Sequence, residues 1–331
     1  MSRYDARLDT IDGFAAAVLR DNERGARAEV APGIGNNVYR FECEGTPLIL
    51  PPADLRSLRH ETFAAFKYGT PILFPPNRVK GAQFTFGGRE YRLPLNEPPH
   101  HHLHGEICSR AWEVVDIGAS EERGAYVTSR FRYADHPDLM AYFPHPLAFT
   151  VTYRLSDGTL HMETSIANEG ADAAPFAFGL HPYFPLPFEA GEPIVLKAPA
   201  IAEWPVTNEA FVVGLPESTA FSRALIDGVD ISRYPPLGCS LVEFDPAAGD
   251  PICRIEMKES GYALLYRFDR RFRYAVLFRP NWASAFSVEP YTYVTDAFNL
   301  PYAHERTGAK AIAAGERLTF ATSLRMETDR V

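Results

Sequence analysis

Four of the ten histidines in this chain crowd into "NEPPHHHLHGEICSRAW" at residues 96–112, and Glu106 follows two residues after the last of them. His102 and His104 are two positions apart, so on a strand they would point to the same side, as a pair of metal ligands would need. With Glu106 they form an HxH…E pattern of the kind that holds a metal. The alternative reading treats His100, His101 and His102 as solvated loop residues after Pro98-Pro99, since a polar run is more often surface than site. His104 differs from its neighbours, because it stands directly before Gly105 and a strand-like start at "SRAWEVVD".

Two further histidine and carboxylate positions carry chemistry. His181 lies in "APFAFGLHPYFPLP", flanked by aromatics. It reads either as a hydrogen-bonded core histidine or as a proton donor whose pKa is set by a desolvated pocket. Glu289 follows the apolar run "SAFSV". A glutamate there is either paired with an arginine such as Arg279 or is a general base whose pKa is raised by burial. Arg78 stands between a proline-rich turn and the next strand-like run, where its side chain can reach into a cleft.

These residues need a scaffold, and the pattern around them is alternation. In "LAFTVTYRLS" the residues Leu147, Phe149, Val151, Tyr153 and Leu155 share one face, and "TLHMETSIANEG" continues with Leu160, Met162 and Ile166 after a turn at Asp157-Gly158. That is a hairpin signature. "AYVTSRFRYA", "ERLTFATSLRME" and a Gly87-Gly88 turn extend the pattern, and "YALLYRFD" with "YAVLFRP" read as another pair near 262–280. Helical signal is confined to residues 53–66, where Leu55, Leu58, Phe63 and Phe66 fall on one stripe. No fixed repeat and no linker divides the chain. The reading is an all-β chain, one large antiparallel β-sandwich over residues 1–331.

Composition narrows the function. The chain has 331 residues, 46% of them hydrophobic, and a net charge of −9. Nucleic-acid binding is disfavoured because it requires concentrated Lys and Arg. Cys43, Cys108, Cys239 and Cys253 form no CxxC pair, and the N-terminal 25 residues show neither a signal-peptide core nor a membrane span. The expectation is a cytoplasmic protein with reduced thiols and no membrane partner. A cupin-like metal reading of His102, His104 and Glu106 lacks the usual spacing and a second histidine motif, since His145 and His161 sit in other contexts. No metal and no cofactor is therefore expected.

Taken in order, "PILFPPNRV", "YRLPLNEPPHHHLHGE…W", "FGLHPYF" and "VEPYTYVTDAFN" resemble the aldose 1-epimerases, also called galactose mutarotases, across about residues 69–300. The resemblance implies a galactose mutarotase-like supersandwich with an open cleft for a monosaccharide. It implies that Glu289 is the catalytic base and His181 the catalytic acid. His104 would contact the sugar near its ring oxygen, and Arg78 would bind sugar hydroxyls. Two departures stand out. Glu106 occupies a position where the family usually has Gly or Phe. The family's substrate-binding aspartate has no counterpart in "YPPLGCSLVEF", where the nearest aspartates are Asp227 and Asp230.

The implied reaction interconverts the α and β anomers of a hexose by ring opening and reclosure, without cofactor. Tyr183 and Trp282 read either as apolar walls of the cleft or as core residues. Two alternatives remain open on the residues alone. A hexose-6-phosphate 1-epimerase would need cations at the rim, for which Arg56, Arg59, Lys67, Lys80 and Arg110 are available. A non-catalytic sugar-binding protein would need no acid–base pair.

Overall fold

The structure is a computed structural model that describes residues 2–58 and 66–328. Three antiparallel sheets dominate it. A five-stranded meander runs Tyr4–Ile11, Phe14–Asp21, Ala26–Ala31, Asn37–Cys43, Thr46–Ile49. A nine-stranded sheet has the order Glu113–Ser120, Gly124–Arg132, Leu147–Ser156, Thr159–Asn168, Arg317–Thr328, Tyr262–Phe268, Ile252–Met257, Ile194–Lys197, Val229–Asp230. A seven-stranded sheet includes Cys239–Phe244, Tyr274–Phe278 and Ala285–Tyr291, with Gly179–Leu180 and Tyr183–Pro185 both paired to the last. Among the described residues no helix is long and apolar enough to cross a membrane.

The hairpin 147–168 forms as its pattern predicts. Ser156 pairs with Thr159 across a two-residue turn, Asp157 and Gly158 both having positive φ, as the twist-matched type I′ turn requires. Phe149, Val151, Tyr153 and Leu155 are all buried from one face of that sheet. They join a continuous apolar core to which all three sheets contribute, including Phe286 and Val288 of the central site strand.

One expected pairing comes out differently. Tyr262–Phe268 and Tyr274–Phe278 are not paired with each other. The first lies between Ile252–Met257 and Arg317–Thr328, and the second between Cys239–Phe244 and Ala285–Tyr291 in the other sheet. The connection crosses the core instead of turning back: Asp269 donates its backbone N–H to Ala321, and Phe272 inserts fully buried against Phe178 and Phe320. An aromatic of that size, worth roughly 1.5–3 kcal/mol when buried, outweighs the short-range preference for a hairpin. Of the expected helix over 53–66, residues 59–65, Phe63 among them, lie outside the described residues; Leu55–Leu58 is a 3₁₀ turn, anchored by Asp54 on the backbone of Arg56 and Ser57.

Candidate active site

The strand Ala285–Tyr291 is buried along its whole length. Its period of two sends Phe286 and Val288 to the sandwich core, and Ser287, Glu289 and Tyr291 to the opposite face. On that face Glu289 opens onto a cavity of about 620 Å³, whose lining includes Arg78, His104, His181, Tyr183, Trp282 and Glu289. The four residues singled out in the sequence are thus brought together in one place.

His181 reaches the cavity from a segment clamped on both sides. Its backbone N–H donates to Pro71, and Tyr183, paired with Ser287, donates to Gly69. The imidazole Nε2 lies 3.2 Å from Glu289 Oε1. The Tyr183 hydroxyl is 3.1 Å from the same nitrogen, with the Tyr183 ring stacked on the imidazole at 4.4 Å. Nδ1 meets Ser287 Oγ at 3.0 Å. Burial pushes the His181 pKa down to about 3 and pushes that of Glu289 up to about 8, in spite of a hydrogen bond that the Tyr291 hydroxyl donates to Glu289 Oε2. Both groups therefore hold the proton state that avoids a buried charge. The expected pairing of Glu289 with Arg279 is absent: that guanidinium donates to the carbonyl of Tyr234 at 2.5 Å and lies over Phe188.

His104 ends the short strand His101–Leu103 in the left-handed region, with φ 61°. Gly105 follows with φ 69°, packed so closely that a Cβ would meet the Phe74 carbonyl at 1.9 Å. Only glycine fits there, and this turn swings the imidazole away from the strand. His104 and Asn77 then pair reciprocally: the His104 N–H donates to the Asn77 carbonyl, and the Asn77 N–H donates to His104 Nδ1 at 3.1 Å. Burial holds the His104 pKa well below the usual histidine value, so the ring is neutral. With Nδ1 accepting, Nε2 carries the hydrogen.

Arg78 is held by a two-pronged ion pair. Its Nε and Nη2 donate to the two oxygens of Glu97 at 2.7 and 2.6 Å, and Nη1 donates to the Glu209 carbonyl at 2.9 Å. Of the five N–H groups of a guanidinium, two remain for a ligand.

The histidine cluster separates into different roles. His102, expected in a solvated loop, is buried and places Nδ1 2.7 Å from the Pro94 carbonyl. The strand that follows Pro98-Pro99 folds back on Arg78–Lys80 and draws it inward. Glu106 is also off the cavity; its carboxylate is paired with Arg110 at 2.6 Å. The HxH…E residues thus do not converge, and among the described residues no group of three His, Cys, Asp or Glu is placed to hold a metal. Asp227 and Asp230 do not line the cavity; Asp230 accepts from the backbone of Ile194 and Ser232 instead. The stretch Pro235–Cys239 does line it, as an apolar wall.

Sequence reasoning missed Glu97, Asn77, Ser287 and Tyr291. Ser287 and Tyr291 were within reach, because residues two before and two after Glu289 on a strand share its face. Asn77 and Glu97 act across the fold, and no spacing points to them.

The chain is 28% identical to the protein YphB of Escherichia coli K12 over 274 residues, 78% of this chain and 83% of that one. Its fold superimposes on a galactose mutarotase-like protein from Clostridium acetobutylicum with a TM-score of 0.87, at 21% identity over 98% of this chain and 99% of that one. It superimposes on a galactose 1-epimerase from Lactobacillus acidophilus NCFM with a TM-score of 0.76, at 16% identity over 99% and 100% of the two chains. The family model described as aldose 1-epimerase matches residues 19–325, nearly the whole chain, and the protein belongs to that family.

Proposed function

We propose that the protein is an aldose 1-epimerase that interconverts the α and β anomers of a free, uncharged aldose. The observation that carries this reading is the buried contact of 3.2 Å between His181 Nε2 and Glu289 Oε1 at the cavity wall. An acid and a base set this close serve a reaction that removes one proton and returns another nearby.

Opening the hemiacetal is such a reaction. The proton held by the resting pair passes from Glu289 to His181 Nε2 across their 3.2 Å contact, and Glu289, now a carboxylate, takes the proton of the C1 hydroxyl. The C1–O bond to the ring oxygen breaks as His181, protonated at Nε2, delivers its proton to that oxygen. Rotation about C1–C2 exposes the other face of the aldehyde, and reclosure runs the same transfers backwards. Each positioned acid or base contributes about 10²–10⁴-fold. His104 donates from Nε2 to the developing charge on oxygen, and the two remaining N–H groups of Arg78 orient the hydroxyls.

The rim supports a neutral sugar over a phosphorylated one. Of the cations available for a phosphate, Lys67 lines the cavity, with its ammonium 5.4 Å from the centre of the Trp282 ring. Arg110 is committed to Glu106 and Asp138, Lys80 and Arg56 are exposed off the cavity, and Arg59 lies outside the described residues. A dianion is recognised by convergent, bidentate guanidinium groups, and among the described residues this rim offers one ammonium besides the Glu97-paired Arg78. A sugar-binding protein without catalysis has no use for two ionisable groups buried side by side, each of which costs folding stability.

Anomer exchange measured by NMR on α-glucose, α-galactose and glucose 6-phosphate tests the reading. Acceleration on the free sugars, with the phosphate slower, is the expected result. Acceleration on the phosphate alone would reassign the substrate, and binding without acceleration would remove the enzymatic reading.

A further inference from the structure

Ser287 Oγ lies between two partners. It is 2.6 Å from the Pro182 carbonyl oxygen and 3.0 Å from His181 Nδ1, and the side chain is fully buried. A serine hydroxyl has one hydrogen, and a carbonyl oxygen can only accept. The shorter contact fixes that hydrogen on Pro182. The contact to Nδ1 is then a hydrogen bond only if Nδ1 carries a hydrogen and donates it to Oγ. The opposite assignment would leave one of two close contacts as a pair of facing lone pairs at a buried position.

With its Nδ1 hydrogen fixed, neutral His181 has a bare Nε2. That nitrogen faces Glu289 Oε1 at 3.2 Å, which is again a hydrogen-bonding distance only if a proton lies between them. The other titratable and charged groups around this point are Tyr183 and His104, with Tyr291, Cys239 and Arg78 acting on Glu289. The Tyr183 hydroxyl, 3.1 Å from Nε2, can donate to the bare nitrogen or accept from the protonated one, so it follows the proton.

We infer that Ser287 is a positioning residue that holds His181 as the Nδ1–H tautomer and so confines the pair's one mobile proton to the Nε2–Oε1 gap that opens on the cavity. The inference deepens the epimerase reading and rests on it for its catalytic half. The proton count closes. At rest the mobile proton sits on Glu289, and its transfer across the gap to Nε2 leaves Glu289 ionised before ring opening. Ring opening moves that proton to the ring oxygen and the C1 hydroxyl proton to Glu289, so the pair again holds one. Reclosure reverses both transfers and so returns a proton to Nε2 and ionises Glu289 again, and the Nδ1 hydrogen never leaves. Without the acceptor at Ser287 the ring could take the other tautomer, with Nε2–H donated statically to the carboxylate and Nδ1 bare.

Nitrogen-15 NMR of histidine-labelled protein, free of sugar, reads the tautomer directly. The wild type should show a protonated Nδ1 on His181 from pH 5 to 9. Ser287→Ala should shift the ring toward the Nε2–H form, lower kcat about tenfold with little change in KM, as expected for one lost hydrogen bond in the reacting state, and displace the pH profile of kcat/KM. Ser287→Thr, which keeps the hydroxyl, should restore all three. A bare Nδ1 in the wild type overturns the inference. So does a folded Ser287→Ala with wild-type kcat and pH profile, or a loss of activity that leaves the profile unmoved and that threonine does not restore. The NMR reading stands on the wild-type protein. If that protein shows this tautomer yet accelerates no anomer exchange, the epimerase reading falls, and with it the catalytic half of this inference.

Discussion

His104 and His181 meet edge to face, with 5.3 Å between ring centroids, and the Nδ1 of each ring meets a different partner, the Asn77 N–H and the Ser287 hydroxyl. His104 accepts at Nδ1 from the Asn77 N–H and so presents a hydrogen at Nε2. His181 has its Nδ1 on Ser287 and turns Nε2 toward Glu289. In the proposed mechanism one histidine is a fixed donor and the other a carrier of the mobile proton, although both are buried and both have depressed pKa values.

The fixed donor makes a prediction. His104→Ala removes a hydrogen bond to an oxygen that gains charge as the ring opens. Loss of one such donor typically costs about 10²–10³-fold in kcat. The variant should therefore lose kcat more than it raises KM, and steady-state polarimetry separates the two.

Gly179 controls the base from a distance. A Cβ there would meet the Tyr291 ring at 2.5 Å and Pro76 at 2.8 Å. Gly179→Ala must therefore displace the tyrosine whose hydroxyl holds Glu289. Overpacking of this kind costs about 1–3 kcal/mol. The expected outcome is a modest drop in the denaturation midpoint with a much larger drop in kcat. Equal retention of activity and stability would show that Tyr291 does not position the base.

Burial of Glu289 also links stability to pH. Its pKa is about 8 when folded, against an ordinary 4.5. Between those values the folded state binds the proton that the unfolded state has lost. The slope of unfolding free energy with pH is therefore negative, and stability falls as pH rises from about 4.5 to 8. His181, lowered to about 3, acts oppositely and adds stability as pH rises from about 3 to 6.5. Glu289→Gln removes the first effect only. Urea titrations at pH 6 and pH 9 should show the wild type losing more stability than the variant between those points. The same ionisation should give kcat/KM an alkaline fall, whose apparent value belongs to the pair and not to one residue.

Arg78 depends on Glu97. Glu97→Gln weakens the two-pronged pair and loosens the guanidinium that remains directed at the cavity. KM should rise severalfold with kcat nearly unchanged, the mark of lost uniform binding. A fall in kcat without a change in KM would place Arg78 in the chemical step instead.

The legibility of this protein in its sequence divides along a physical line. Local alternation made the hairpin 147–168 visible, because the Asp157-Gly158 turn and the two flanking faces agree. Alternation could not say which strand of 262–280 belonged to which sheet, since Phe272 sends the chain through the core. His104, His181, Glu289 and Arg78 were readable as an ordered set of motifs. The burial of His102 and the withdrawal of Glu106 to Arg110 were not, because both follow from how one loop folds back on Arg78–Lys80. Among the described residues no aspartate lines the cavity, and this was visible as a gap in the motif. What replaces it, the apolar wall of Pro235–Cys239, needed the fold.

The central claim is that Glu289 and His181 open an aldose ring by proton transfer. Magnetisation-exchange NMR on equilibrated galactose and glucose, with wild type and Glu289→Gln at matched concentration, tests it most directly. The account predicts anomer exchange accelerated well beyond buffer by the wild type and reduced to the buffer rate by the folded variant. Exchange at the wild-type rate in Glu289→Gln would contradict it.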